Sequence, residues 1–81
     1  MELRHIRYFK AVADEKNFPR AAEKLNIAQP PLSRQIQDLE AELGTTLFVR
    51  TPHKVTLTEE GELFLQYANQ ILDLSLIHIS E

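Results

Sequence analysis

The chain has 81 residues, enough for one small domain, and its 43% hydrophobic and 26% charged residues indicate a globular rather than a disordered protein. The absence of cysteine excludes disulfide bonds and thiolate metal sites. The formal net charge of −3 argues at first glance against nucleic acid as a partner. No apolar run approaches the ~20 residues of a membrane span, and the N-terminus lacks the apolar core of a signal peptide, so we expect a cytoplasmic protein that does not bind membranes.

The first predicted helix runs from about Glu2 to Glu15 and is broken by Lys16-Asn17. Its apolar residues recur at helical spacing and form one stripe: Leu3, Ile6, Phe9, Val12 and Ala13. A second, short helix begins near Pro19, which suits a first helical turn because proline needs no amide partner. This helix ends at Leu25, and Asn26 tolerates the left-handed backbone of a tight turn.

A third helix is predicted from around Pro30-Pro31 to Gly44, which provides the positive φ of a C-terminal cap. Its core stripe is Leu32, Ile36, Leu39 and Leu43. Small side chains at Ala21 and Ala22 allow the second and third helices to approach closely, and Leu25 and Ile27 close the turn between them. These sizes and offsets predict a helix-turn-helix over residues 18–37, although an αα-hairpin within another helical domain has a similar pattern.

Two short β-prone runs, residues 47–50 and 55–57, flank the polar turn of residues 51–54 and predict a small hairpin, or wing. Thr58 is placed to cap a last helix, with Glu59 and Glu60 in its first turn. The predicted fold is therefore mainly α: a winged helix-turn-helix with a three-helix core and a two-stranded wing over residues 1–57, followed by a linker or dimerisation helix over residues 58–81.

Positive charge is concentrated in two segments. Residues 16–37 carry a net charge of +3, and residues 44–57 carry +2 with no acidic residue. Residues 38–43 and 58–81 carry −3 and −5. The two basic segments are the parts that could face phosphate, unless their charges are simply scattered over a solvated surface.

The outward positions at the start of the third helix have the chemistry of a recognition helix. These residues are Gln29, Pro30, Pro31, Ser33, Arg34 and Gln37, and none is acidic. Arginine reads guanine and glutamine reads adenine, and a recognition helix contacts bases through its N-terminal residues. The prolines can meet a thymine methyl group. In the wing, Arg50, His53 and Lys54 are expected to contact backbone phosphate or the adjacent minor groove.

Three segments together resemble the LysR-type transcriptional regulators: residues 21–36 (AAEKLNIAQPPLSRQI), residues 39–50 (LEAELGTTLFVR) and residues 57–61 (LTEEG). The opening MELRH and the Gln29-Pro30-Pro31 step are similar to the subgroup that governs the breakdown of aromatic compounds. The resemblance covers residues 1–74 and implies a bacterial regulator whose N-terminal domain binds operator DNA as a dimer. In the family, a linker helix leads to an effector-binding domain for a small-molecule inducer, which we expect to be absent from this chain.

The sequence departs from the family pattern at two places. Pro19 stands where the family usually has Ser or Thr, whose hydroxyl caps the helix and can touch phosphate, so that contact is in doubt. Residues 75–81 differ from the family's linker helix, which is richer in alanine and charge, and are interpreted as a non-native tail.

Two other classes of function fit the sequence less well. An enzyme needs a site, but His5, His53 and His78 fall in three different elements and no glycine-rich phosphate loop exists, so we expect neither catalysis nor a metal or other cofactor. A winged helix that binds another protein should expose Leu, Phe or Tyr on the third helix, where this chain has Gln, Ser and Arg.

The last helix is apolar over more than one narrow stripe, which has two interpretations. Phe64, Tyr67 and Ile71 could simply cover the core of the domain. The further apolar residues Leu63, Leu72 and Leu74 exceed what a surface helix of a monomer needs. We therefore predict a homodimer interface formed by Leu63, Phe64, Tyr67, Ile71 and Leu74.

Overall fold

The computed structural model describes the backbone of residues 1–52 and 54–80 and the side chains of residues 1–52 and 54–72. The elements are α1 (Leu3–Glu15), α2 (Phe18–Leu25), α3 (Gln29–Leu43), β1 (Phe48–Arg50), β2 (Val55–Leu57) and α4 (Glu59–Ser80). This order confirms the predicted winged helix-turn-helix. Among the described residues, no helix combines the length and apolarity that crossing a membrane requires.

The core is built around the four phenylalanines of the chain. Phe9 of α1 is fully buried, and its ring centre lies 5.2 Å from that of Phe48 in β1 and 4.8 Å from that of Phe64 in α4. Phe18 of α2 meets Phe48 edge-on, with 6.0 Å between the ring centres. One aromatic cluster therefore joins α1, α2, the wing and α4.

The helix-turn-helix forms as the sequence predicts, with α2 beginning one residue earlier than expected. The Asn17 side chain accepts a hydrogen bond from the Arg20 amide at 2.8 Å, so α2 begins at Phe18 and Pro19 lies within its first turn. Ala21 and Ala22 are buried, and Asn26 has a φ of 61° in the turn before α3. The missing hydroxyl at position 19 is thus not needed for capping this helix.

One residue from each of the two predicted helical stripes lies at the surface. Leu3 is 43% exposed and Leu43 is 37% exposed, whereas Leu32, Ile36 and Leu39 are buried. Both leucines occupy the terminal residues of their helices, α1 and α3, where the helix extends beyond the elements that cover its middle. Helical spacing selects a face but does not tell how far along the helix the core reaches.

The start of α4 is fixed against the segment between α3 and the wing. The Thr58 hydroxyl donates to the Thr46 carbonyl at 2.7 Å and accepts from the Gly61 amide at 2.9 Å, which confirms Thr58 as the cap. The Thr58 amide donates to the Leu47 carbonyl at 3.0 Å. Gly61 is buried here, and a Cβ atom at this position would collide with the Leu47 carbonyl oxygen.

Gly61→Ala should lower the free energy of unfolding by about 2–3 kcal/mol, because the added methyl group has to displace backbone rather than a flexible side chain. Where a helical glycine has free space around it, replacement by alanine stabilises by up to about 1 kcal/mol. The sign of the change in unfolding free energy therefore shows whether the close contact with Leu47 exists. Urea unfolding measures it, with Gly44→Asn as the control because Gly44 has a φ of 73° and open space around it. A variant as stable as the wild type would show that α4 does not approach Leu47 this closely.

Candidate nucleic-acid interface

Burial of one side of α3 leaves its other side facing solvent. Leu32, Ile36 and Leu39 anchor the helix in the core. Of the predicted recognition residues, Gln29, Pro30, Pro31 and Arg34 are exposed in its N-terminal half, Ser33 is half-buried there, and Gln37 is exposed just past the midpoint. The structure therefore places all six on the first nine residues of one helix, with no acidic residue among them.

The wing is a short antiparallel hairpin whose turn is closed by a threonine. Phe48 pairs with Leu57 and Arg50 with Val55. The Thr51 hydroxyl donates to the Lys54 carbonyl at 2.9 Å and accepts from the Lys54 amide at 3.0 Å. Both Arg50 and Lys54 are exposed, and the predicted contact residue His53 lies outside the described residues.

A groove of about 380 Å³ connects the start of α3 to the wing. It is lined by Lys16, Asn17, Phe18, Pro19, Gln29, Arg50, Thr51, Pro52, Lys54 and Val55. Three of these residues are cationic and none is acidic, so the groove is suited to an anion such as a backbone phosphate. Gln29 and Arg50 line one groove although they belong to different elements.

Arg50 is held in this groove by an aromatic ring. Its guanidinium carbon lies 3.8 Å from the centre of the Phe18 ring, which is a cation–π stack. Phe18 itself is only 4% exposed. No pattern along the chain pairs these two residues, because Phe18 has the character of an ordinary core position.

Lys16 is a candidate contact residue that sequence analysis missed. It contributed to the positive charge of residues 16–37 but was interpreted only as a helix breaker. In the structure it adopts a left-handed φ of 53° at the end of α1, and it lines the groove beside Arg50 and Lys54. Only the tertiary fold brings the turn between α1 and α2 next to the wing.

The acidic residues at the end of α3 are engaged within the domain. One carboxylate oxygen of Glu40 accepts from the Leu47 amide at 2.6 Å and from the Phe48 amide at 3.3 Å. The N-terminal ammonium of Met1 lies 2.7 Å from Glu42, and its hydrogen bond lowers the pKa of the Glu42 carboxyl below the usual value. Glu40 thereby joins α3 to the first strand of the wing.

The last helix divides its apolar residues between two faces. Leu63, Tyr67 and Ile71 are 57%, 58% and 41% exposed, and their spacing of four residues places them along one side. Phe64 was predicted to belong to a dimer interface, but it packs against Phe9 in the core of its own domain, and Leu72 also packs against the core. The side chain of Leu74 lies outside the described residues.

Comparison with known proteins agrees with this geometry. Residues 3–62 match the sequence pattern of the bacterial regulatory helix-turn-helix proteins of the lysR family. The chain is 60% identical over 72 residues to the HTH-type transcriptional regulator BenM of Acinetobacter baylyi, a match that covers 89% of this chain and 24% of BenM. The chain thus spans about a quarter of the length of that regulator.

Two solved structures with DNA have nearly the same fold. The complex of the BenM DNA-binding domain with benA site 1 DNA superposes with a TM-score of 0.93 at 55% identity, and it covers 99% of this chain and 90% of that one. The complex of the CbnR DNA-binding domain with DNA superposes with a TM-score of 0.92 at 42% identity, covering 99% and 92%. These relatives are named as regulators and DNA-binding domains, and not as enzymes.

Glu40→Ala should lower the free energy of unfolding by about 2 kcal/mol, because two amides at the start of the wing lose a charged acceptor. Glu40→Gln keeps a carbonyl acceptor and should lose less. Asp38→Ala is the matched control, since Asp38 is an exposed acid on the same helix and its removal should change stability by no more than about 0.5 kcal/mol. Equal urea midpoints for Glu40→Ala and Asp38→Ala would contradict the assigned role of Glu40.

Proposed function

The chain belongs to the lysR family of bacterial regulatory helix-turn-helix proteins, and we propose that it is a sequence-specific DNA-binding domain that reads operator DNA. In this proposal the N-terminal half of α3 enters the major groove and the wing lies on the neighbouring backbone and minor groove. The expected compartment is the cytoplasm, where bacterial operator DNA lies. Control of transcription as a whole belongs to the longer regulators that the chain matches over about a quarter of their length.

The observation that carries the proposal is the continuity between the acid-free face of α3 and the basic groove of the wing. Gln29 at the start of α3 and Arg50 and Lys54 of the wing line one groove. A duplex that places base edges against α3 therefore brings backbone phosphate against three cations. The negative net charge does not oppose this, because Glu40 and Glu42 are engaged at the other end of α3.

Roles for the individual residues follow from their chemistry. The Arg34 side chain can form hydrogen bonds with guanine, and the Gln29 and Gln37 side chains can form them with adenine. The Ser33 hydroxyl can form a hydrogen bond with either base. Pro30 and Pro31 offer apolar contact to thymine methyl groups. Lys54, Arg50 and His53 are proposed to supply affinity through phosphate and the minor groove rather than sequence reading.

A winged helix that binds protein instead of DNA is less well supported. Such a domain needs large apolar side chains on the outward face of its third helix. The exposed residues there are two prolines and polar side chains, and Leu43, the only exposed leucine of α3 among the described residues, lies at the opposite end.

We propose further that two copies pair through the apolar stripe of α4 formed by Leu63, Tyr67 and Ile71. Each of these side chains is more than two-fifths exposed, which is unusual for three aligned residues of a monomer. One recognition helix contacts few base pairs, and a two-fold pair doubles that number and fixes the half-site spacing near one helical turn or a multiple of it. Phe64 is half-buried and packs against Phe9 of its own domain, so the proposed stripe is formed without it.

Arg34→Ala should weaken binding to a selected operator by about 1–3 kcal/mol and relax base preference near the contact, with little change on random DNA. Arg7→Ala is the matched control, because Arg7 is an exposed arginine of α1 outside the groove. Fluorescence anisotropy with the operator, found by selection from a random pool, and with a scrambled duplex measures both. Equal losses of affinity on the two duplexes would show that Arg34 contacts phosphate rather than bases. No loss of affinity on either duplex would show that α3 does not contact DNA.

Ile71→Glu should abolish pairing and lower operator affinity steeply while leaving the monomer folded, because it places a charge in the apolar stripe. Gln66→Glu adds the same charge at an exposed position about 100° round the helix from Tyr67 and should leave pairing intact. Sedimentation over a concentration series, with and without a palindromic duplex, gives the stoichiometry. One protein per duplex at saturation for the wild type would refute the pairing.

A further inference from the structure

Phe18 occupies a position from which it can control an arginine of the DNA-facing groove. Its ring is buried, packs edge-on against Phe48, and presents one face to the Arg50 guanidinium 3.8 Å away. Because the ring is held by the core, it cannot turn away without disturbing Phe48. The wing is fixed from the other side by the pairing of Arg50 with Val55. The stack therefore restricts the Arg50 side chain before any ligand binds.

A stacked guanidinium keeps its hydrogen-bonding edge free. The aromatic ring covers the flat face, whereas the five N–H groups of arginine lie in the plane of the fork and point outward from it. That edge can donate two parallel bonds to the two oxygens of a phosphate. Lysine is a point charge without a fork and cannot replace arginine in both roles.

The surroundings of Arg50 favour an anion over an internal partner. The other cations of the groove are Lys16 and Lys54, and its polar uncharged residues include Asn17, Gln29 and Thr51. No carboxylate is among the lining residues, so none competes for the fork there. A groove of about 380 Å³ is large enough to receive a phosphate group of the duplex backbone.

We infer that Phe18 is a positioning residue that holds Arg50 for a bidentate contact with one backbone phosphate of bound DNA. The inference rests on the proposed function, and it adds a residue that does not touch DNA itself. Pre-ordering a side chain reduces the conformational entropy lost on binding, and the gain appears as affinity on every sequence. Phe18 is the first residue of the helix-turn-helix, and Arg50 is the last residue of the first strand of the wing. A phosphate bound by Arg50 is therefore held at a fixed place relative to both elements, which fixes the register of the duplex.

A double-mutant cycle between positions 18 and 50 tests the inference on a single duplex at fixed salt. In the wild-type background, Arg50→Ala should weaken binding on the order of tenfold and Arg50→Lys by nearly as much. In the Phe18→Leu background, arginine and lysine at position 50 should bind equally well, because the fork is no longer held. Lys54→Ala should cost the same factor in both backgrounds, since the cation stacked on the ring is Arg50.

Two further measurements separate positioning from a loss of folding. In the free protein, the ring current of Phe18 should shift the Arg50 Hδ resonances upfield, and Phe18→Leu should remove this shift while urea unfolding remains cooperative. If Phe18→Leu does not fold, Phe18→Met provides the non-aromatic background, because it is flexible and close in volume. The upfield shift and the loss of DNA affinity in Arg50→Lys can both be measured without changing Phe18.

Three results would overturn the inference. Equal affinities of the wild type and Arg50→Lys would exclude the bidentate contact. An Arg50→Ala loss of the same size in both backgrounds would exclude positioning by Phe18 while leaving DNA binding intact. A wild-type protein that does not bind the duplex even at low salt would refute DNA binding itself, and with it the role of both residues.

Discussion

The cluster of four phenylalanines is the constraint on which the rest of the molecule depends. Phe9 is fully buried and touches rings from the wing and from α4, and Phe48 extends the cluster to Phe18 at the start of the helix-turn-helix. Aromatic rings pack in few orientations, so the cluster fixes the angles between these elements. In a domain of this size the same contacts that provide stability also set the geometry of the interface.

The chain has a net negative charge and still presents a basic surface, because acidic groups near α3 are bonded within the domain while basic groups line a groove. The carboxylate of Glu40 accepts hydrogen bonds from the amides at the start of the wing, and Glu42 forms an ion pair with the N-terminal ammonium. Lys16, Arg50 and Lys54 line a groove that has no acid among its described lining residues. The field near the groove follows these local groups rather than the total, because screening by salt limits exposed charges to a range of ~10 Å.

The last helix shows how one amphipathic element can serve two purposes. Its inner face supplies Phe64 and Ala68 to the core, while Leu63, Tyr67 and Ile71 remain exposed along another side. Its first turn is fixed by Thr58 and by the close approach of Gly61 to Leu47. A second copy held by the exposed side would therefore pack on a helix whose first turn is tied to the segment just before the wing.

The sequence by itself determined the elements, their order and the chemistry of the exposed face of α3. Helical spacing, the Thr58 cap and the positive-φ positions Asn26 and Gly44 are local properties, which depend on neighbours along the chain. Tertiary structure alone decided which apolar residues reach the core. Phe64 packs against Phe9, whereas Leu3 and Leu43 are exposed. It also decided which distant residues meet, as Phe18 meets Arg50. Periodicity specifies the direction in which a side chain points, but its partner depends on how separate elements pack.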